Sequence, residues 1–297
     1  MKKLFKTFIP IALISILLCT TLVRGDYQVS VGSIYTYDVN TSNWSLKFGS
    51  NSADGQGYPI EDGSFQEGTN FDVEVTAVNP TVNVDWTMSK GTKEETGSST
   101  GFDYLGIILY CFYPLLLASG ISSGWNATEV EMGPEIITMF FFDTAEDVSF
   151  EFFRMLSNTT GMSSALTESE YSNLERMEGH FDESGSVAVF DWVIEGQIVD
   201  SSVNTDLEGS ELFQIAYDKS TGVLQGYHIK IDFKGSVEGS VTEMELEQKV
   251  EITGYNLPAF YYGAGGGLIP GFEWFIGIFS LSCLAVPIII IRKRKQK

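Results

Sequence analysis

The side chains that most often catalyse reactions or bind metals are sparse in this sequence. Its two histidines are His180 and His228, and neither has a second histidine or a cysteine at the spacing of a zinc site. No motif of a serine hydrolase, a zinc protease, a phosphate-binding loop or a dinucleotide-binding fold occurs. The sequence therefore predicts a protein without catalytic residues, metal centre or cofactor.

Acidic side chains are abundant, with 39 Asp and Glu against 18 Lys and Arg and a formal net charge of −21. Two carboxylates can form a catalytic pair, but no pair is distinguished among so many. Asp54 and Asp62 lie among glycines, yet neither belongs to a calcium-loop motif. We interpret the acids as a solvated surface that excludes general nucleic-acid binding, because phosphates require basic side chains.

Both ends of the chain are basic and apolar, unlike the acidic middle. Residues 1–25 carry lysines at positions 2, 3 and 6 and then a short apolar run, which predicts a secretory signal peptide, with an uncleaved N-terminal anchor as the alternative. Residues 261–268 form a glycine-rich spacer. Residues 274–291 carry no charge and would form a helix about 27 Å long, close to the thickness of a bilayer core. Residues 292–297 include five basic side chains and predict that the C-terminal end of this helix faces the cytoplasm.

The C-terminal segment, residues 269–297, contains Pro270, Gly271 and Phe272, followed by the apolar run and the basic tail. This order resembles archaeal protein-sorting tails of the PGF-CTERM class and the tails of Asgard (Lokiarchaeota-type) surface proteins. The resemblance implies that an archaeosortase could remove the helix and attach a lipid near the motif. A retained membrane helix is the other expectation, and either leaves residues 26–260 outside the cell membrane.

Four sequons fit an extracellular address. The candidate N-glycosylation acceptors are Asn40, Asn43, Asn126 and Asn158. Cys111 would be the only cysteine in the mature outer domain, so no intrachain disulfide could form there. Cys111 lies in an apolar run without a nearby histidine, so we expect a buried, unreactive thiol.

Residues 26–260 show mainly the period-two alternation of antiparallel strands with one wet face. We predict an α+β fold that is mainly antiparallel β, a curved sheet or half-barrel with one or two short helices. Asp218 and Gly222 predict a hairpin turn, with a bulge near Gly226. We expect loops at residues 54–59, a helix over 148–156 with Val148, Phe152, Met155 and Leu156 on one face, and a second helix within 163–177.

Residues 104–120 form an apolar run without charge, for which three interpretations remain open. Core packing beneath the sheet is the first, and a membrane span, which would reverse the topology, is the second. The third is an apolar pocket or membrane-facing loop. Its candidate lining residues are Phe112, Tyr113, Leu115, Leu116, Leu117 and Trp125.

Short motifs also connect the outer domain with a known class. Gly32, Tyr35 and Tyr37 near its start, and the segment 217–224, resemble archaeal choice-of-anchor surface domains, which are similar to the half-barrels of lipoprotein carriers. The matching residues form turn and core motifs and imply no catalytic residues. From the signal peptide and the C-terminal anchor, we predict a non-enzymatic surface protein with a binding or structural envelope role and with a lipid or another surface protein as partner. A carrier of lipids or other hydrophobic ligands is the alternative.

Overall fold

The computed structural model describes residues 27–60, 63–101, 103–111, 114, 139–144, 149–157, 172–200 and 204–264. Most of them lie in strands, so the predicted mainly antiparallel β fold is confirmed. The strands are β1 (Ile34–Phe48), β2 (Asn51–Gln56), β3 (Tyr58–Ile60), β4 (Gly63–Phe65), β5 (Thr69–Asn79), β6 (Asn83–Lys90), β7 (Lys93–Thr100), β8 (Ser172–Asp182), β9 (Val187–Asp200), β10 (Thr205–Asp218), β11 (Leu224–Val237) and β12 (Ser240–Ile252). The helices are α1 (Tyr104–Cys111), α2 (Ser149–Leu156) and a 3-10 turn, η1 (Tyr261–Ala264).

Ten strands form one sheet in the order β7-β6-β5-β1-β12-β11-β10-β9-β8, with β2 paired to β1, and this sheet is not closed into a barrel. All of its pairs are antiparallel. The long strand β1 pairs with β12 on one flank, and on the other its first half pairs with β5 and its second half with β2. The hairpin β3–β4 forms a separate two-stranded sheet.

One face of the ten-stranded sheet carries the apolar core, and we call it the core face. The helix α1 covers it, since the Trp192 indole N–H donates to the carbonyl oxygen of Cys111 at 2.7 Å. The helix α2 covers it further along, with the Phe153 ring 4.9 Å from that of Phe190. Core-face side chains alternate with more exposed ones along β5, β6 and β12, as burial of one sheet side requires, whereas both faces are buried at the centres of β9 and β10. The core-face side chains include Tyr37, Phe71, Trp86, Trp192, Phe213, Tyr227, Ile229, Ile231, Phe233 and Val250.

The predicted hairpin turn at residues 218–222 is confirmed. The Asp218 carboxylate accepts hydrogen bonds from the backbone N–H groups of Ser220 and Thr221 at 3.0 and 2.9 Å. Gly222 has a φ of 71°, a conformation in which a side chain is strained. The predicted bulge is also present, because the register between β10 and β11 shifts beside Gly226.

Two local predictions were wrong. Of the range 163–177 predicted to contain a second helix, residues 172–177 belong to β8, and residues 163–171 lie outside the described ranges. A bulge between Leu174 and Arg176 places Leu174 and Met177 on the same buried face, three residues apart, and this spacing imitates a helical period. Residues 54–59 are not a loop, because β2 pairs along the second half of β1 despite its glycines.

The structure describes only part of the other predicted elements. In α2, Leu156 is buried as predicted, and the structure adds Phe150 and Phe153 to its buried face. In the apolar run, Ile107 and Cys111 of α1 are fully buried, which fits core packing. No helix in the described ranges is long and apolar enough to cross a membrane.

Three tryptophans each pair with a glycine on the neighbouring strand. The pairs are Trp44 with Gly55, Trp86 with Gly97, and Gly179 with Trp192. A Cβ at Gly97 would lie 2.3 Å from the Trp86 ring, and one at Gly55 would lie 2.5 Å from Trp44. In these two pairs the missing side chain therefore makes room for the indole of the adjacent strand.

The Trp86–Gly97 pair gives a first prediction. We expect Gly97→Val to lower the free energy of unfolding by about 2 kcal/mol, because the added carbons overlap the indole and overpack the core. Urea unfolding of residues 26–264 measures the effect. Ser98→Val, at an exposed position of the same strand, is the matched control and should change little. Adding Trp86→Leu to the Gly97→Val variant should recover part of the lost stability. If the Gly97→Val variant is as stable as the parent, the predicted overlap with the indole is contradicted.

Candidate functional site

Residues 253–264 follow β12 and cross the sheet on the face opposite the core face. We call this segment the strap and the face it covers the strap face. At its start, the Thr253 N–H donates to the carbonyl oxygen of Thr36 at 2.8 Å. The Leu257 N–H then donates to the Glu251 carboxylate at 2.5 Å, in a buried position. These contacts fix the strap where the chain leaves the centre of the sheet.

The far end of the strap is held at the β8 edge. The Tyr261 N–H donates to Asp191 Oδ1 at 3.3 Å, and Arg176 Nη1 donates to the carbonyl oxygen of Tyr262 at 3.3 Å. The Arg176 guanidinium also lies 5.5 Å from the centre of the Tyr262 ring, a cation–π contact. Tyr262 is buried, and burial raises the pKa of its hydroxyl. The strap therefore runs across the strands from β12 to β8.

A continuous row of polar side chains lies on the strap face. The strand register places neighbouring members of the row opposite one another, one from each strand from β8 to β12. Both histidines of the chain belong to this row. In order across the sheet its members are His180, Asp191, Gln214, His228 and Lys249.

Asp191 is the buried acid at the centre of the contact between strap and sheet. Its Oδ1 accepts hydrogen bonds from Gln214 Nε2 at 2.8 Å and from the Tyr261 N–H. Burial raises the pKa of Asp191 to about 6, although these hydrogen bonds act in the opposite direction. The carboxyl group serves as a structural acceptor, because both of its donors belong to the packed strap and strand.

Each histidine packs against an aromatic ring of the strap. The His180 ring is parallel to that of Tyr261, with centroids 3.6 Å apart, and His228 lies 4.6 Å from Phe260. Burial lowers the pKa of both imidazoles, so they are mainly neutral at pH 7. In the described ranges, no three His, Cys, Asp or Glu side chains are grouped so as to hold a metal ion.

The core face contains a buried polar chain that is fully paired. The Tyr227 hydroxyl donates to Gln248 Oε1 at 2.6 Å, and Gln248 Nε2 donates to Ser42 Oγ at 2.9 Å. Ser42 Oγ then donates to the carbonyl oxygen of Gly57 at 2.8 Å. The chain thus links β11, β12 and β1 to the loop between β2 and β3. A paired network of this kind fixes the register of the strands that contribute to it.

A second prediction concerns this network. We expect Gln248→Leu to lower the free energy of unfolding by about 2 kcal/mol, because Tyr227 and Ser42 each lose a buried hydrogen-bond partner. Urea unfolding of residues 26–264 measures the change. Glu243→Gln, on the opposite face of β12, controls for substitution within the strand and should be nearly neutral. An unchanged unfolding midpoint for Gln248→Leu would show that the network does not stabilise the fold.

Glu211 differs from every other acid described above. It lies in β10, its side chain is fully buried, and neither carboxylate oxygen has a hydrogen-bond partner among the described residues. Phe213 and Ile215 follow it on the same face of the strand, so the carboxyl group lies in the apolar core face. Burial alone raises the pKa of Glu211 well above its usual range. Burial therefore favours the neutral, protonated form of the carboxyl group.

Glu211 is not among the site residues predicted from the sequence, although its position in the strand pattern carries a signal. Glu211 shares the parity of Phe213, Ile215 and Tyr217 in the period-two pattern of β10. An acid at an apolar position of an alternating strand is a candidate for a buried carboxyl group. The strap gave no comparable signal, because residues 253–264 have neither a helical nor a strand period.

Two of the predicted glycosylation acceptors are described, and both lie in β1 with exposed side chains. Asn40 Nδ2 donates a hydrogen bond to Glu251 Oε2, so glycosylation there would compete with a contact beside the strap. Asn43 lies three residues further along β1. Their modification stays a prediction.

The other predicted site residues lie outside the described ranges. They comprise two candidate acceptors, the sorting motif and the whole set proposed to line an apolar pocket. These residues are Asn126, Asn158, Pro270, Gly271, Phe272, Phe112, Tyr113, Leu115, Leu116, Leu117 and Trp125.

Comparison with known proteins adds no assignment. No model of a protein family matches the chain, and no curated protein matches it either. Within the described ranges, the carboxyl groups of Asp191 and Glu251 accept hydrogen bonds from the strap, and that of Glu211 is enclosed in the core face.

Proposed function

We propose that this chain is a membrane-anchored extracellular surface protein with a binding or structural role and no enzymatic activity. The strap is the observation that carries the proposal. It fastens the chain across the strap face as far as Ala264, immediately before the glycines and the uncharged run of the sequence. A buried hydrogen bond to Glu251 and a partly buried one to Asp191 hold this segment on the sheet.

In this proposal, the strap also transmits a pulling force from the membrane anchor to the sheet. A tether attached after residue 264 pulls first on the strap, whose contacts are spread over strands from β12 to β8. The load is thus shared by several strands instead of peeling β12 from its neighbours. We propose that residues 274–291 anchor the chain, or that an archaeosortase exchanges them for a lipid near Pro270, Gly271 and Phe272.

Cell fractionation tests the anchor. Cells that produce the full chain are treated with a membrane-impermeant amine-reactive biotin and then extracted with alkaline carbonate. We expect biotinylated protein in the membrane pellet, whereas a matched chain ending at Ala264 should be released into the medium. Full-length protein that is unlabelled, or that appears in the carbonate supernatant, would overturn the proposal. Intact-mass measurement of the pelleted protein distinguishes a retained helix from a lipid-exchanged tail.

A second candidate function is a carrier or binding protein for hydrophobic ligands, with the sheet as one wall of a half-barrel. The specific observation in its favour is Glu211, whose carboxyl group has no hydrogen-bond partner among the described residues and lies in an otherwise apolar region of the core face. Ligand sites commonly combine apolar walls with a few precisely placed polar groups. Organic extraction and mass spectrometry of the purified full chain test this function, and a stoichiometric co-purifying lipid would support it.

A further inference from the structure

Strand β1 carries two N-glycosylation sequons in direct succession, and the fold treats them differently. Residues 40–42 form the first sequon, and residues 43–45 form the second. An acceptor sequon consists of an asparagine amide and a hydroxyl group two residues later. These groups belong to Asn40 and Ser42 in the first sequon, and to Asn43 and Ser45 in the second. The contacts of these four side chains therefore distinguish the two sequons.

The amide of the first sequon belongs to the contacts that hold the start of the strap. Asn40 is the extra residue of a β-bulge, and its Nδ2 donates to Glu251 Oε2. Glu251 is only 3% exposed, and its other carboxylate oxygen accepts the Leu257 N–H at 2.5 Å. A sugar on Nδ2 would have to fit beside this enclosed carboxyl group and against the strap. Modification of Asn40 therefore conflicts with the closed position of the strap.

The hydroxyl group of the first sequon is enclosed as well. Ser42 is fully buried, and its Oγ accepts a hydrogen bond from Gln248 Nε2 at 2.9 Å and donates to the carbonyl oxygen of Gly57 at 2.8 Å. These contacts lie on the core face, whereas the Asn40 amide contacts Glu251 on the strap face. In the folded chain, an enzyme that must bind both groups of this sequon cannot reach them together.

The second sequon is regular in its backbone and open to solvent. Asn43 pairs with Glu247 of β12 and with Gln56 of β2, and its side chain is exposed on the strap face. Ser45 follows on the same face and is partly exposed. This sequon lies about 10 Å further along β1 than Asn40. Its cross-strand neighbours are polar, so a hydrated sugar chain fits beside them.

We propose that Asn43 carries an N-linked oligosaccharide and that Asn40 stays unmodified. The proposal rests on the extracellular location proposed above, since only an exported chain meets the modifying enzyme. The oligosaccharide extends from the strap face of β1 and keeps the surrounding part of that face hydrated. The strap is left free to pack on Glu251, because the Asn40 amide keeps its hydrogen bond. A partner that approaches β1 from the strap face meets the sugar before the strand.

The test uses the full chain, isolated from the membranes of a host that glycosylates exported sequons. A secreted reporter with one sequon, produced in the same cells, shows that the modifying enzyme is active. No lysine or arginine lies between Arg24 and Lys47, so trypsin leaves both asparagines in one peptide. Electron-transfer fragmentation then assigns the sugar mass to one of them. The variants are Asn40→Gln, Asn43→Gln and Ser45→Ala, of which the last removes the second sequon but keeps its asparagine.

We expect the sugar mass on Asn43 alone. Asn40→Gln should leave the modified fraction of the peptide unchanged, whereas Asn43→Gln and Ser45→Ala should each abolish the modification. Sugar on Asn40, in the parent or in Asn43→Gln, would overturn the assignment. A bare peptide from chains that surface biotinylation places outside the cell would also overturn it, and would leave the extracellular location intact. Chains that the impermeant biotin does not reach would overturn both proposals.

Discussion

Replacing Glu211 with leucine is expected to raise the free energy of unfolding at pH 7 by about 1–3 kcal/mol, the cost of burying a polar group that has no hydrogen-bond partner among the described residues. Burial also raises the pKa of the carboxyl group in the folded chain, whereas in the unfolded chain it ionises with an ordinary pKa. Leucine has a similar size and suits the neighbouring isoleucines.

The pH dependence of the effect follows from the direction of the shift. Because the folded pKa of Glu211 is raised, the folded state binds more protons than the unfolded state above about pH 4. The stability contributed by this group is therefore present below that pH and falls as the pH rises towards the folded pKa. The advantage of the leucine variant should grow from pH 4 to pH 7.

Urea unfolding of residues 26–264 at several pH values measures both effects. The difference between Glu211→Leu and the parent removes the contributions of Asp103 and Asp191, whose pKa values burial also raises to about 6. Glu208→Leu serves as the exposed control and should show no such trend. A Glu211→Leu variant less stable than the parent at pH 7 would show that the carboxyl group stabilises the fold.

Removal of the strap is expected to have an effect of similar size in the opposite direction. A chain ending at Gly254 should unfold with a free energy lower by about 3 kcal/mol or more, since burial of each large apolar side chain contributes about 1.5–3 kcal/mol. Leu257 and Tyr262 are the buried apolar side chains of the strap. Their loss also uncovers Asp191 and Glu251, which accept the strap's hydrogen bonds.

The comparison is between residues 26–254 and residues 26–264, measured by urea unfolding and by amide hydrogen exchange. Exchange should accelerate in β9 and β10, whose polar residues Asp191 and Gln214 lie on the strap face, and much less in β6 and β7 at the opposite end of the sheet. The substitution Leu257→Ala within residues 26–264 should give part of the loss. Identical unfolding midpoints for the two lengths would show that the strap rests on the sheet without stabilising it.

Much of the strand pattern could be predicted from the sequence, because alternation of apolar and polar residues follows directly from one-sided burial. The β10–β11 hairpin is the clearest case, since Asp218, Gly222 and Gly226 have local roles that depend little on the rest of the chain. The same reasoning failed wherever a bulge changes the period. In β8, the shift between Leu174 and Arg176 hid the strand behind a helix-like spacing.

The candidate sites were less accessible to sequence analysis, because each depends on contacts between distant segments. The strap has no periodic pattern in the sequence. Its attachment to the sheet is visible only in the structure, where the Tyr261 N–H donates a hydrogen bond to Asp191, 70 residues away in the chain. Glu211 is ordinary as a residue type and becomes unusual only through complete burial. The sequence pattern could have marked its position, but it could not show that the carboxyl group has no hydrogen-bond partner in the part of the chain that the structure describes.

The order of strands also determines the order in which the sheet can assemble. Strands β5–β7 and β8–β12 are each joined by short connections between neighbours, which are rapid local contacts. In the sheet, these two meanders are joined through the β1–β12 pair. Beside this pair, the Thr253 hydroxyl donates a hydrogen bond to Asp38, which is 215 residues away in the sequence. Closing so long a loop is slow, so this seam forms late. Until the final strand is available, the edge of β1 that β12 covers stays open, and it can pair with other chains.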